Sequence, residues 1–589
     1  MMISEAAEPL YFGKTAAPLF GWWHKPAGPL RGMGVVLCAP FGREEVSAYR
    51  SLRNLAGRLA DAGLPVVRFD YAGCGDSAGD ERSDRLVQAW TDSVNAAANE
   101  LKQLSGVQRV AIVGLRLGAT LGWQAACERD DVAALVAIVP VLSGRAFVRE
   151  LKALQAASGS SGDQSTADEF MESGGYLLHL NTRDALTALD LRAPERAPIR
   201  RLLLIDRDDL PPNDEWAARL KRLNCKVAHL RLPGYVEMMQ DPHSTEVPRA
   251  VVDAVTSWLV ETASSFAAPA ILPTRVPQQL AHLGLLTEQA VWVETATARL
   301  SGVLSLPKHL PAPRDAVLLL NAGATRRTGP SRMYVTLARH WATRGQAVLR
   351  MDMSGIGDSS SCDGAEENVV YSPTAVEEVG AAVNYLRNNL GIERCRVVGM
   401  CSGAYHAFKA AVRGTPVVGV VAINPLTFFW HDDGPMEVGM REYEILDEMA
   451  RHRAGLFAAN RWIRLLRGDV DVLRLGRLCG RWLKASVSST LRDLGRTMRL
   501  PMKDDLGREL QAIVAKGINL QFLFAEGDPG EALLRTQGGM IVKRMLRSGK
   551  IQVHVVPNGD HTFTRSSARA VATSIVSDIV AMKCTDGRV

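Results

Sequence analysis

One set of blocks occurs twice along this chain, in the same order and at nearly one spacing, and no other feature limits its fold as much. Residues 35–42 (VVLCAPFG) match 317–324 (VLLLNAGA), and residues 68–77 (RFDYAGCGDS) match 350–359 (RMDMSGIGDS), both at an offset of 282. Residues 113–119 (VGLRLGA) match 398–404 (VGMCSGA) at 285. Ordered matches at one offset mean two copies of one fold. In each copy strand-like and helix-like segments alternate, the pattern of a mostly parallel sheet covered by helices on both faces, an α/β architecture. The expected domains are 1–262 and 289–589, joined by a Pro/Ala/Ser-rich linker at 263–288. The copies differ most between their middle and late strands, at 145–199 and 425–518. A loop as long as the second, without structure of its own, is uncommon. A helical lid is therefore expected at about 425–518.

The second copy carries the chemistry. An apolar run at 396–398 leads into Gly399-Met400-Cys401-Ser402-Gly403 and then into a helix-like run from Ala404. A strand, a glycine-flanked residue and a helix make a nucleophile elbow. The turn is sharp, so its flanks must be small, and the central side chain, here Cys401, is pushed out over the sheet edge. The opening helix offers free N–H groups and a positive dipole end, which favour a thiolate and later an oxyanion. Two further strand-like runs end in Glu526-Gly527-Asp528-Pro529 and in Asn558-Gly559-Asp560-His561. Nucleophile, acid, histidine is the chain order this fold requires. The expected set is Cys401, His561 and Asp528. The expected oxyanion donors are the backbone N–H groups of Ser402, Gly323 and Ala324. Ser402 is the alternative nucleophile, but that frame puts Met400 where a small residue is needed.

The first copy keeps the elbow glycines around Arg116, which cannot act as a nucleophile. Aligning 232–237 on 556–561 puts Glu237 at the histidine position. A bidentate Arg116–Glu237 pair is expected there, with an Arg116 that binds an anionic ligand as the alternative. His243 is a second candidate base; Asp206, Asp208 and Asp209 are acids with nothing to orient.

Composition narrows the rest. The N-terminus lacks the basic start and apolar core of a signal peptide, and no run of eighteen apolar residues predicts a transmembrane helix. Nine scattered cysteines fit reduced thiols in a cytoplasmic protein. No metal or nucleotide signature appears, so no metal ligands and no cofactor are expected. The formal charge of +6 is uneven: residues 451–499 hold twelve Lys/Arg against three Asp. That block, inside the expected lid, reads either as a solvated helix face or as a docking surface for an acyl carrier protein, coenzyme A or an anionic membrane surface. Nucleic acid is not expected, because no binding motif accompanies the charge.

Through these motifs the whole chain resembles the α/β-hydrolase superfamily, in its serine aminopeptidase-like (S33) branch. Residues 114–119 with 234–243 resemble hydrolase-like proteins of bacterial exosortase systems. The cysteine elbow is similar to that of dienelactone hydrolase-like enzymes, a match confined to the elbow. The resemblance implies two tandem hydrolase domains, the first without catalytic machinery. Cysteine in place of serine turns the expected activity from peptidase toward ester or thioester chemistry, as an acyl hydrolase or acyltransferase working through an acyl-enzyme. A non-catalytic binding or scaffold protein is the rival reading.

Overall fold

The apolar runs paired by the repeat become the central strands of two sheets. The computed structural model describes residues 7–157, 169–362, 364–431, 496, 498 and 503–582. In the first copy the strands are β1 (Ala7–Lys14), β2 (Ala17–His24), β3 (Met33–Cys38), β4 (Val66–Phe69), β5 (Arg109–Leu115), β6 (Val132–Ile138), β7 (Phe170–Ser173), β8 (Tyr176–His179), β9 (Arg201–Arg207) and β10 (Lys226–Leu232). In the second they are β11 (Leu280–Leu283), β12 (Leu286–Glu294), β13 (Arg299–Pro307), β14 (Asp315–Leu320), β15 (Ala347–Met351), β16 (Arg394–Met400), β17 (Gly419–Ile423), β18 (Asn519–Ala525) and β19 (Ile551–Val556).

The first sheet runs β1-β2-β4-β3-β5-β6-β9-β10, and the second β11-β12-β13-β15-β14-β16-β17-β18-β19. With β11 set aside, the two orders correspond strand for strand. Both begin with antiparallel pairs and continue parallel from β4 and from β15. This is the α/β-hydrolase fold, present as two sheets. β3 is buried at all six positions, as a parallel strand covered on both faces must be. Apolar layers lie on both faces of each sheet. The stretch expected as a linker is shorter than 263–288. The helix Arg249–Ala263 reaches its first residue, and β11 opens at Leu280 to add an edge strand.

The two copies share a buried interface. Tyr11, Phe20 and Trp22 pack with Ala281, Ala290 and Val303, and Trp22 meets Trp292 edge-on at 5.6 Å. Beside them lies an ionic cluster built from the repeated motif. Arg68 pairs with Asp358, and its repeat counterpart Arg350 pairs with Asp76, the counterpart of Asp358. Such reciprocity is the signature of a two-fold, isologous contact, here between two halves of one chain. Arg327 is fully buried among Asp76, Asp352 and Asp358 at 2.9, 2.7 and 2.9 Å. Burial raises the Asp352 carboxyl even with Arg327 beside it. Among the described residues, no helix is long and apolar enough to cross a membrane. Most of the expected lid, including the basic block at 451–499 apart from Arg496 and Met498, lies outside the described residues.

Candidate active site

Cys401 stands between β16 and the helix Ser402–Arg413 with φ 59 and ψ −117. A non-glycine residue with this backbone is strained, and such strain persists only where the surroundings over-determine it. The elbow supplies that constraint. The Cys401 N–H donates to Ile423 O at 2.9 Å. A Cβ at Gly399 would lie 2.2 Å from the Gly403 backbone, and one at Gly403 would lie 2.4 Å from Asn321 O. Both flanking glycines are therefore required by close backbone approach. Cys401 is half-buried and free.

The other expected residues come to it from the ends of β18 and β19. Asp528 caps the helix Pro529–Arg547, accepting from the Gly530 N–H at 2.8 Å with Oδ1. Its Oδ2 lies 2.9 Å from His561 Nδ1. Burial works against a charged imidazole at this position. The hydrogen bond of His561 to Asp528, with the neighbouring Cys401 thiol and the charges of both, outweighs it and pushes His561 up to about 10 from an ordinary 6.5. An imidazole so disposed holds its proton beside the sulfur.

One residue of the site escaped the sequence reading. Buried Asn424, at the end of β17 with φ 43, donates its side-chain N–H to His561 O at 2.7 Å and accepts from the Ala525 N–H at 2.8 Å. It ties the histidine loop to the acid-bearing strand. Its counterpart one repeat earlier is Val139, with φ 45 and the same backbone bond to the late strand. The only sequence signal was that exchange of Asn for Val.

The oxyanion side differs from expectation. The Gly323 N–H donates to Ser402 Oγ at 3.0 Å, so the buried serine hydroxyl occupies one expected donor. Ala324 lines a pocket together with Val46 and Tyr49 of the first copy. The Ser402 N–H, first in its helix, has no acceptor within that helix. The loop that carries Gly323 is also anchored on the first copy. Arg326 pairs with Asp70 and Glu45 at 2.8 and 2.9 Å, and Arg332 donates to the carbonyls of Gly75, Ser77 and Gly79.

A groove of about 520 Å³ runs along the outer side of the elbow helix, lined by Tyr371, Tyr405, Phe429, Trp430, Lys409 and Glu509 among others. Tyr371 and Trp430 stack at 4.2 Å. Burial, then the nearby charge of Cys401, raises the Tyr371 hydroxyl well above its usual range, which puts one wall of the groove within electrostatic reach of the thiol.

The first copy repeats the elbow with Arg116 at φ 53 and ψ −120, but the expected Arg116–Glu237 pair does not form. Arg116 donates to Glu44 at 2.7 Å and to Glu150, while Glu237 is exposed on the short helix Tyr235–Met238. Glu237 lies two residues beyond the position that faces Arg116. The residue facing Arg116 from that turn is Tyr235, which lies beside Arg116 and Glu44. His243 is exposed. Asp206 bonds His229 at 2.8 Å, and Asp209 pairs with Arg207.

Residues 317–574 match the Alpha/beta hydrolase family. No curated protein is matched by the sequence. Among solved structures, the chain is similar to Est1E from Butyrivibrio proteoclasticus bound to ferulic acid, at 18% identity over 43% of this chain and 99% of that one, TM-score 0.33. It is also similar to a Pyrococcus furiosus esterase, at 15% over 45% and 92%, TM-score 0.32. Dienelactone hydrolase from Anabaena variabilis is similar at 14% over 50% and 96%, TM-score 0.29.

Proposed function

We propose that the second copy is a cysteine-nucleophile acyl hydrolase or acyltransferase acting on an ester or thioester, and that the first copy has no catalytic chemistry of its own. The observation that carries this reading is His561, held at 2.9 Å by Asp528 and raised by the Cys401 thiol of the elbow beside it. The Cys401 thiolate attacks the acyl carbonyl, and the carbonyl π electrons move to oxygen. The Ser402 N–H receives that oxyanion. Gly323 becomes the second donor when its N–H exchanges Ser402 Oγ for the oxyanion. As the tetrahedral adduct collapses, the bond to the leaving alcohol or thiol breaks and His561 hands it a proton. The acyl-thioester is then attacked by water, an alcohol or an amine, with His561 accepting the attacking proton. Cys401 leaves as the thiolate beside a protonated His561, and the cycle closes. The aromatic groove past Tyr371 suits the acyl group or its acceptor.

Acceptance of an acyl carrier protein or coenzyme A through residues 451–499 is part of the proposal. It rests on the charge of that block alone. The deciding experiment is intact-mass and peptide mapping after incubation with a small activated ester and with acyl thioesters. A stoichiometric acyl adduct on Cys401, absent in Cys401→Ala, is expected. Turnover with the adduct on Ser402, or none anywhere, would overturn the reading.

A further inference from the structure

The loop that carries His561 is completed by the other copy. Between β6 and β9 the first copy forms the hairpin β7–β8, which reaches onto the second. Glu172 on β7 is 9% exposed. Its carboxylate accepts the Ser566 N–H at 2.5 Å and the Ser566 hydroxyl at 3.3 Å. Ser566 opens the helix Ser566–Ala581, five residues after His561, and the N-cap position, Arg565, makes no side-chain cap of its own. First-turn N–H groups need an acceptor from outside their helix. Glu172 supplies one from 394 residues away.

Two more contacts extend the arrangement toward the histidine. At the hairpin tip, a Cβ on Gly175 would meet Thr564 O at 3.3 Å, so the tip lies against the histidine loop. Buried Arg569, on the same helix, donates to Phe563 O at 3.2 Å and Thr564 O at 2.9 Å and lies in the field of Glu81 and Glu172. The chain between His561 and Ser566 passes through Phe563 at φ 52, a conformation that persists only when neighbours hold it. A two-stranded hairpin is marginal by itself, so it and the histidine loop steady each other.

We propose that the first copy is a positioning subunit for the second copy's site, with Glu172 as the positioning residue that sets the His561 loop against Cys401. The proposal rests on Cys401 as the nucleophile. Two full-length variants test it, Glu172→Ala and Glu172→Gln; glutamine keeps an acceptor for the Ser566 N–H. The readouts are kcat and KM with a small activated ester, and the rate at which iodoacetamide alkylates Cys401, followed on its peptide.

Glu172→Ala is expected to lower kcat about tenfold, as small misplacement of a reacting group does. KM should stay within about twofold, because ground-state binding is untouched. Alkylation of Cys401 should slow in parallel, and Glu172→Gln should recover most of both. If Glu172→Ala does not fold, Glu172→Asp, whose shorter side chain loses its reach to Ser566, takes its place with the same expected losses. Unchanged kcat and alkylation in a folded variant would overturn the proposal, as would a glutamine variant as impaired as the alanine one. Failure of the parent reading looks different. The unmutated protein would then turn over no ester or carry its acyl adduct on Ser402, and its Cys401 would alkylate no faster than half-buried Cys127.

Discussion

The two elbows have the same backbone and opposite contents. Arg116 and Cys401 sit within 6° of each other in φ and 3° in ψ, each N–H bonded to the end of the next strand. Around Cys401 stand His561, Asp528 and Asn424. Around Arg116 stand Glu44, Glu150 and Tyr235. The strained turn is thus a property of the fold and survives without a nucleophile. What disappears is the set of side chains at the strand ends, down to the Asn that ties the histidine loop.

The comparison is tested most sharply by exchange. Cys401→Ala should cost on the order of 10⁴-fold or more in kcat/KM, and His561→Ala nearly as much, with the double variant little worse, because they act as one unit. Arg116→Cys should form no acyl adduct, since among the described residues no imidazole faces it. An adduct at position 116 would mean that the first copy is a working site in waiting.

The interface should respond next. Asp76→Asn leaves Arg327 and Arg350 buried with less counter-charge, and breaking a buried pair costs about 3–5 kcal/mol. Asp358→Asn, its two-fold mate, should cost a similar amount in urea unfolding. A large loss from only one of the two would break the pseudo-symmetry.

Asn424→Val gives the second copy the residue of the first. It should lower kcat about 10–100-fold through misplacement of His561, with the circular dichroism spectrum unchanged, since the first copy already tolerates Val139 at the same φ. Undiminished kcat would remove Asn424 from the site.

The pH dependence has a defined sign. His561 is raised in the folded protein from 6.5 to about 10, so its stabilising contribution is complete below 6.5 and fades as pH rises through about 10. The stability difference between the unmutated protein and His561→Gln should therefore shrink between pH 6 and 10 in urea titrations. A constant difference would contradict the ion-pair geometry. Ser402→Ala should have the smallest effect, within about threefold of the unmutated rate, because alanine keeps the backbone N–H and frees that of Gly323. Loss comparable to Cys401→Ala would return Ser402 as the nucleophile.

The repeat, the elbows and the order of Cys401, Asp528 and His561 were legible in the sequence because each rests on local rules. Glycines mark sharp turns, apolar runs mark buried parallel strands, and a cysteine or an arginine at one position announces what it can do. Three things were not legible. The RFDYAGCGDS and RMDMSGIGDS blocks looked like parts of a fold, and only the tertiary structure showed their arginines and aspartates crossing between copies. The partner of Arg116 was misplaced because Glu44 and Glu150 arrive from distant segments, while the alignment saw only the late strand. Asn424, Ser402 Oγ on Gly323, and Glu172 on Ser566 act through contacts 137, 79 and 394 residues apart in the chain. Pairings of that kind depend on how whole layers pack, and packing is decided in three dimensions by surfaces that no local pattern of residues specifies.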